Sequence, residues 1–170
     1  KSNSTVVRDV EFVSTNDVVT GWYFAQRTPE ACVMVMNLRQ RLADINDEIM
    51  GNYQGELIFA NHDAHQPSQI RSALSFKPIK GARSVLNQER LEQGHVAVVT
   101  NWASFYVDVE IEGCEMLLHL PVYGSDCGVG SCLIIFQKSK EKLSVLERRR
   151  DSICLDTLND SPLAPFSQIS

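Results

Sequence analysis

No apolar run in these 170 residues approaches the roughly 18 that a membrane-spanning helix requires. No signal-peptide pattern is visible. Positive charge is in deficit, with 16 Lys and Arg against 21 Asp and Glu and a net charge of −5. Such a chain has no global basic field for nucleic acid or an anionic membrane surface, so neither is an expected partner. The one basic run, Arg148-Arg149-Arg150, is followed at once by Asp151. It reads as the solvated last turn of a helix. Metal-site spacing is missing too. The five cysteines (Cys32, Cys114, Cys127, Cys132 and Cys154) contain no CxxC pair, and no histidine cluster stands beside Cys127 and Cys132. Reduced thiols in a cytoplasmic protein are expected, with Cys32 a small hydrophobe in an apolar strand. Repeats and low-complexity segments are absent. The first residue is Lys1 rather than Met, as expected of a piece of something longer.

What is present is ordinary globular material: 44% hydrophobic and 22% charged residues, enough for one domain with a real core. Residues 1–13 form a lead-in, residues 14–155 the domain, and residues 156–170, rich in Asn, Asp and Pro, a flexible tail. Ser14-Thr15-Asn16-Asp17 starts a helix: the first three can cap it and Asp17 complements its dipole. Val18, Val19, Trp22 and Phe24 follow at helical spacing until Arg27-Thr28-Pro29 ends the helix. Strands are expected at Ala31–Met36 and Glu56–Ala60, separated by a Gly51-Asn52 turn. A helix opens at Pro67, and a more polar one covers Ala82–Glu92 before Gly94. Four strands follow: His95–Trp102, the strictly alternating Val107–Glu112, Met116–Leu120 and Cys132–Phe136. Ser139 then caps a last helix carrying Leu143 and Leu146. The order predicts a mixed β-sheet flanked by helices, an α/β (α+β) layer rather than a pure βαβ winding.

Arg39 stands just beyond a buried strand, where an unpaired charge is costly, so a partner carboxylate is expected; Asp108 is the candidate. His62-Asp63-Ala64-His65 reads as a solvated loop, and His95 and His119 as hydrogen-bonded structural histidines. The acidic face of Asp108, Glu110 and Glu112 reads as exposed. Cys127 and Cys132 have no base placed beside them. Thr100-Asn101-Trp102 ends a strand, and alternation sets Thr100 and Trp102 on one face. A hydroxyl and an indole N–H converging there suit a developing oxyanion, and core packing of Trp102 is an equal reading.

Four segments together resemble the C-terminal half of the BAHD acyltransferases, within the chloramphenicol acetyltransferase and condensation-domain superfamily. Ser14-Thr15-Asn16-Asp17-Val18-Val19 is similar to the opening of that half's first helix. Asn37-Leu38-Arg39, Arg41-Leu42 and Gly51-Asn52 are similar to its N-x-R-x-R-l…G-N stretch, in which Asn37 and Asn52 hold the motif positions. Val98-Val99-Thr100-Asn101-Trp102 is similar to its t-S-W strand, and Phe105–Gly113 stands where it carries D-F-G-W-G. The resemblance covers roughly residues 12–150. It implies a chloramphenicol-acetyltransferase-like half-domain and a structural ion pair between Arg39 and Asp108. It also implies that Thr100 and Trp102 line the reaction channel beside the acyl carbonyl. Acyl-CoA is the implied co-substrate, a small-molecule hydroxyl or amine the acceptor, and the enzyme's N-terminal half the partner. No covalently bound cofactor and no metal are implied.

Two departures stand out. Val109-Glu110-Ile111-Glu112 replaces Phe-Gly-Trp-Gly. The family's base, His-x-x-x-Asp, has no counterpart: His62, His65, His95 and His119 are followed four residues on by Gln66, Gln69, Val99 and Tyr123. The expectation is therefore the C-terminal domain of an acyltransferase, inactive alone and with an apolar face prone to self-association. A non-catalytic binding or scaffold domain of the same fold is the alternative. An unrelated ligand-sensing α/β domain is a third reading.

Overall fold

A computed structural model describes residues 10–27, 29–41, 44–60, 64–74, 96–117, 119–121, 130–149 and 152–157. The chain divides into two compact units, Lys1–Val85 and Leu86–Ser170. It is an α/β fold with mixed strand pairing.

The first unit packs two helices and an antiparallel strand pair. Helix α1 spans Thr15–Arg27. Ser14 is its N-cap: its hydroxyl accepts the Asp17 N–H at 3.3 Å, while its own N–H and O–H donate to Asp17 Oδ2 at 2.7 and 2.9 Å. This reciprocal box satisfies donors that a helix start otherwise leaves open. Strand β1 (Ala31–Asn37) pairs with β2 (Gln54–Ala60), Ala31 opposite Ala60 and Asn37 opposite Gln54. Helix α2 (Pro67–Leu74) begins on its proline, where a missing N–H costs nothing. Val19, Tyr23 and Phe24 of α1, Cys32–Met34 of β1, Phe59 of β2, and Ile70 and Leu74 of α2 are buried. At about 25 cal/mol per Å² of apolar surface, side chains of this size each contribute roughly 1.5–3 kcal/mol.

The second unit holds β3 (Val96–Asn101), β4 (Ser131–Ser139), β5 (Lys142–Arg149) and β6 (Ser152–Thr157), hydrogen-bonded in that order. β3 runs parallel to β4, and the other two pairings are antiparallel. Cys132, Ile134, Phe136 and Leu146 form one apolar cluster, against which Val98 and Trp102 pack.

Several expectations fail here. The predicted last helix over 139–151 is β5. Ser144, Val145, Leu146 and Glu147 are buried in succession, so both faces of the strand are covered, and β4 and β6 pair with its two edges. Pairing on two sides overrides the helical spacing of Leu143 and Leu146. The β4–β5 turn, Lys140-Glu141, also lacks the Gly, Asn or Pro that signals a hairpin. Arg148 and Arg149 accordingly sit on a strand and not in a helical turn, and β6 runs through Asp156, where the tail was expected to begin. Val107–Glu112 is not a strand of the sheet. It is an exposed segment closed by an isolated bridge between Ile111 and Cys114, with Gly113 at φ 74° in the turn. Neither of its faces is covered, so alternation had no partner to act on. The described residues of Met116–Leu120 are likewise irregular. The expected helix Ala82–Glu92, and the readings of His62, Asp63, His95 and Cys127, fall outside the described residues. Among the described residues no helix is long and apolar enough to cross a membrane.

Candidate functional site

The site is built at the end of β3. Val96, Ala97 and Val99 are buried, and alternation carries the side chain of Thr100 inward to 9% exposure. The Trp102 N–H still reaches across to Ile135 O at 2.7 Å, after which the chain leaves the strand. Asn101 Oδ1 accepts the Ala103 N–H at 2.8 Å, and Phe105 N–H bonds Trp102 O at 3.0 Å. Trp102 itself adopts φ −111° and ψ 10°, the bridge region between strand and helix geometry. This turn folds the indole back over the strand. Trp102 Nε1–H donates to Thr100 Oγ1 at 3.0 Å, while the ring packs on the Cys132–Leu146 cluster and faces Phe105 at 6.4 Å.

The sequence placed Thr100 and Trp102 on one face, and the structure brings them into contact. Their geometry differs from two donors aimed at one external point: the indole N–H is directed at the hydroxyl. A hydroxyl that accepts one hydrogen bond donates a stronger one, because each bond polarises the next. Thr100 Oγ1 thus keeps its own O–H to donate, and the Trp102 bond restrains its rotamer.

A second polar group stands elsewhere in the same unit. His119 Nδ1 faces Gln137 O at 2.9 Å. A carbonyl only accepts, so Nδ1–H is the donor in this contact. The His119 N–H bonds Lys138 O at 3.2 Å, and the Tyr106 ring meets the imidazole edge-on at 5.5 Å. His119 is thus hydrogen-bonded, as expected, though the residues around it do not form a strand. The Tyr106 hydroxyl makes a long contact of 3.5 Å to Asp108 Oδ1. Its pKa is raised by partial withdrawal from water and then by the Asp108 charge.

Arg39 is held within the first unit by two carbonyls and a ring. Its guanidinium donates to Asn46 O and to Gly51 O, the latter at 2.7 Å, and lies over the Tyr53 ring at 5.2 Å. Asn37 Oδ1 accepts the Arg39 N–H at 2.9 Å, turning the chain off β1. Gly51 holds φ 127°, a conformation L side chains rarely adopt, and this presents its carbonyl to the arginine. Two carbonyls and an aromatic face satisfy this half-buried cation, so its position alone does not demand an acid. Asn52 is exposed in the same turn, and Asp108 is exposed in the second unit.

Two buried carboxylates escaped the sequence reading. Asp17, fully buried, accepts Arg71 Nε at 2.8 Å and lies 2.6 Å from its Nη2. Glu147, also fully buried, accepts Arg149 Nε and Nη2 at 3.2 and 3.0 Å. Asp17 was legible only as a complement to the helix dipole, and Glu147 drew no reading of its own. Among the described residues no group of His, Cys, Asp and Glu is placed to hold a metal ion. Compared with known proteins, the chain matches no family model, no curated protein and no solved structure.

Proposed function

We propose that this chain is the C-terminal part of an acyl-CoA-dependent acyltransferase, moving an acyl group from a CoA thioester to a small-molecule hydroxyl or amine. The observation that carries the reading is the Trp102 indole bonded to the Thr100 hydroxyl at the mouth of β3. A polarised O–H held in a fixed rotamer is the donor a tetrahedral oxyanion needs, and it needs no reorganisation when charge develops. In this reading the acceptor's proton goes to a base outside the chain, because no histidine here precedes an aspartate at the required spacing. The N-terminal half of the enzyme is then the partner that supplies it. The reading rests on Thr100 and Trp102 and does not need an Arg39–Asp108 ion pair.

Thiol release from acetyl-CoA and longer acyl-CoAs, followed with a panel of alcohols and amines, tests it. The complete natural protein releases CoA only when an acceptor is present, and the 170-residue chain alone releases none. Acceptor-independent release, or none from any donor, contradicts the proposal. A non-catalytic binding domain of the same fold is the second reading. It is favoured by the exposed apolar side chains of the segment after β3.

A further inference from the structure

The segment Phe105–Glu112 follows β3 as an exposed stretch of chain. Its backbone from Tyr106 to Glu110 enters no strand pairing among the described residues. Phe105, Val107, Val109 and Ile111 are 55%, 65%, 52% and 60% exposed, at alternate positions. Between them Asp108, Glu110 and Glu112 are exposed as well. Drawn out as a strand against a partner, this alternation would set one apolar face and one acidic face. Leaving four large apolar side chains in water forfeits the stabilisation that a covering partner would give.

Charge selects the partner. From Asn101 to Gln137 the sequence has no Lys or Arg and five acids, Asp108, Glu110, Glu112, Glu115 and Asp126. The remaining sequence balances 16 acids against 16 bases, so this span holds the whole net charge of −5. A second copy of the chain would set carboxylates against carboxylates, and like charges opposite each other destabilise a strand pair. We infer that residues 105–112 receive an extended segment of a partner protein in which Lys or Arg alternates with apolar side chains. Main-chain bonds along the free edge would give affinity, and the two faces would give specificity.

The test uses the full chain and a fluorescein-labelled eight-residue peptide alternating Lys and Val, read by anisotropy. A Lys₄Val₄ block peptide of the same composition is the control. The alternating peptide binds, the block peptide binds at least tenfold more weakly, and added salt weakens the complex. Val109→Ser with Ile111→Ser abolishes binding. Glu110→Gln with Glu112→Gln weakens it about tenfold, as two exposed ion pairs would. These side chains are exposed, so the melting temperature stays unchanged and separates lost binding from lost fold. Equal binding of the two peptides, no binding, or charge variants that bind like the parent would overturn the inference. So would concentration-dependent dimerisation that the serine variants remove, because the occupant would then be a second copy. Acyl transfer is not the readout, so the acyltransferase reading stands or falls separately.

Discussion

Asp17 and Arg71, 54 residues apart in sequence, meet through a carboxylate oxygen that lies 2.8 Å from Nε and 2.6 Å from Nη2. The same oxygen, Oδ2, caps α1 through Ser14, so a single atom ties the start of one helix to the side of another. The Arg71 guanidinium also lies over the Phe12 ring at 4.7 Å, which holds the lead-in residue against the helix pair.

Removing one member of this pair is costly because the other stays buried without its counter-charge. Arg71→Ala leaves the fully buried Asp17 carboxylate uncompensated. It is expected to lower unfolding free energy by about 3 kcal/mol. Asp17→Ala removes the cap as well and costs no less. Urea denaturation of both variants checks this, and a loss below about 1 kcal/mol for Arg71→Ala would show that the pair contributes little.

The thiols differ in reactivity for a physical reason. Burial pushes Cys32 from an ordinary 9.0 up to about 12, whereas Cys114 is exposed. Iodoacetamide at pH 8 is expected to label Cys114 and to spare Cys32 in the native protein, as peptide mapping by mass spectrometry will read. The same shift gives a pH dependence. The folded state keeps the Cys32 proton where the unfolded chain has lost it, so stability from this group is full below pH 9.0 and declines as pH rises toward about 12. A Cys32→Ala variant should show a shallower alkaline decline than the parent.

Gly51 is fixed by its backbone. At φ 127°, with the Tyr53 ring 3.3 Å from where a Cβ would stand, an alanine is strained in both backbone and side chain. Gly51→Ala should cost about 1–3 kcal/mol and loosen the turn that holds Arg39. A melting temperature unchanged from the parent would show that this turn relaxes freely.

The first unit was legible because its signals are local. A cap, a proline stop, an apolar run and a proline start each fix an element without help from elsewhere, and α1, β1, β2 and α2 fall where these signals put them. The second unit was legible only in β3 and β4, whose apolar runs are long enough to speak for themselves. β5 was hidden because its strand character comes from pairing on both edges, and Val107–Glu112 misled because alternation shows two faces without showing whether either is covered. At the site, the shared face of Thr100 and Trp102 followed from spacing. That the indole donates to the hydroxyl did not, because it depends on the bridge-region turn at Trp102.

In the acyl transfer proposed above, Thr100 would donate to the oxyanion. Turnover of the complete natural protein with Thr100→Ala and Thr100→Ser tests it most directly, with thermal melting measured on the same samples. Alanine is expected to lower kcat about 100-fold with little change in KM or melting temperature, and serine to restore most of the loss. An alanine variant that melts like the parent and turns over at the parent rate would contradict it.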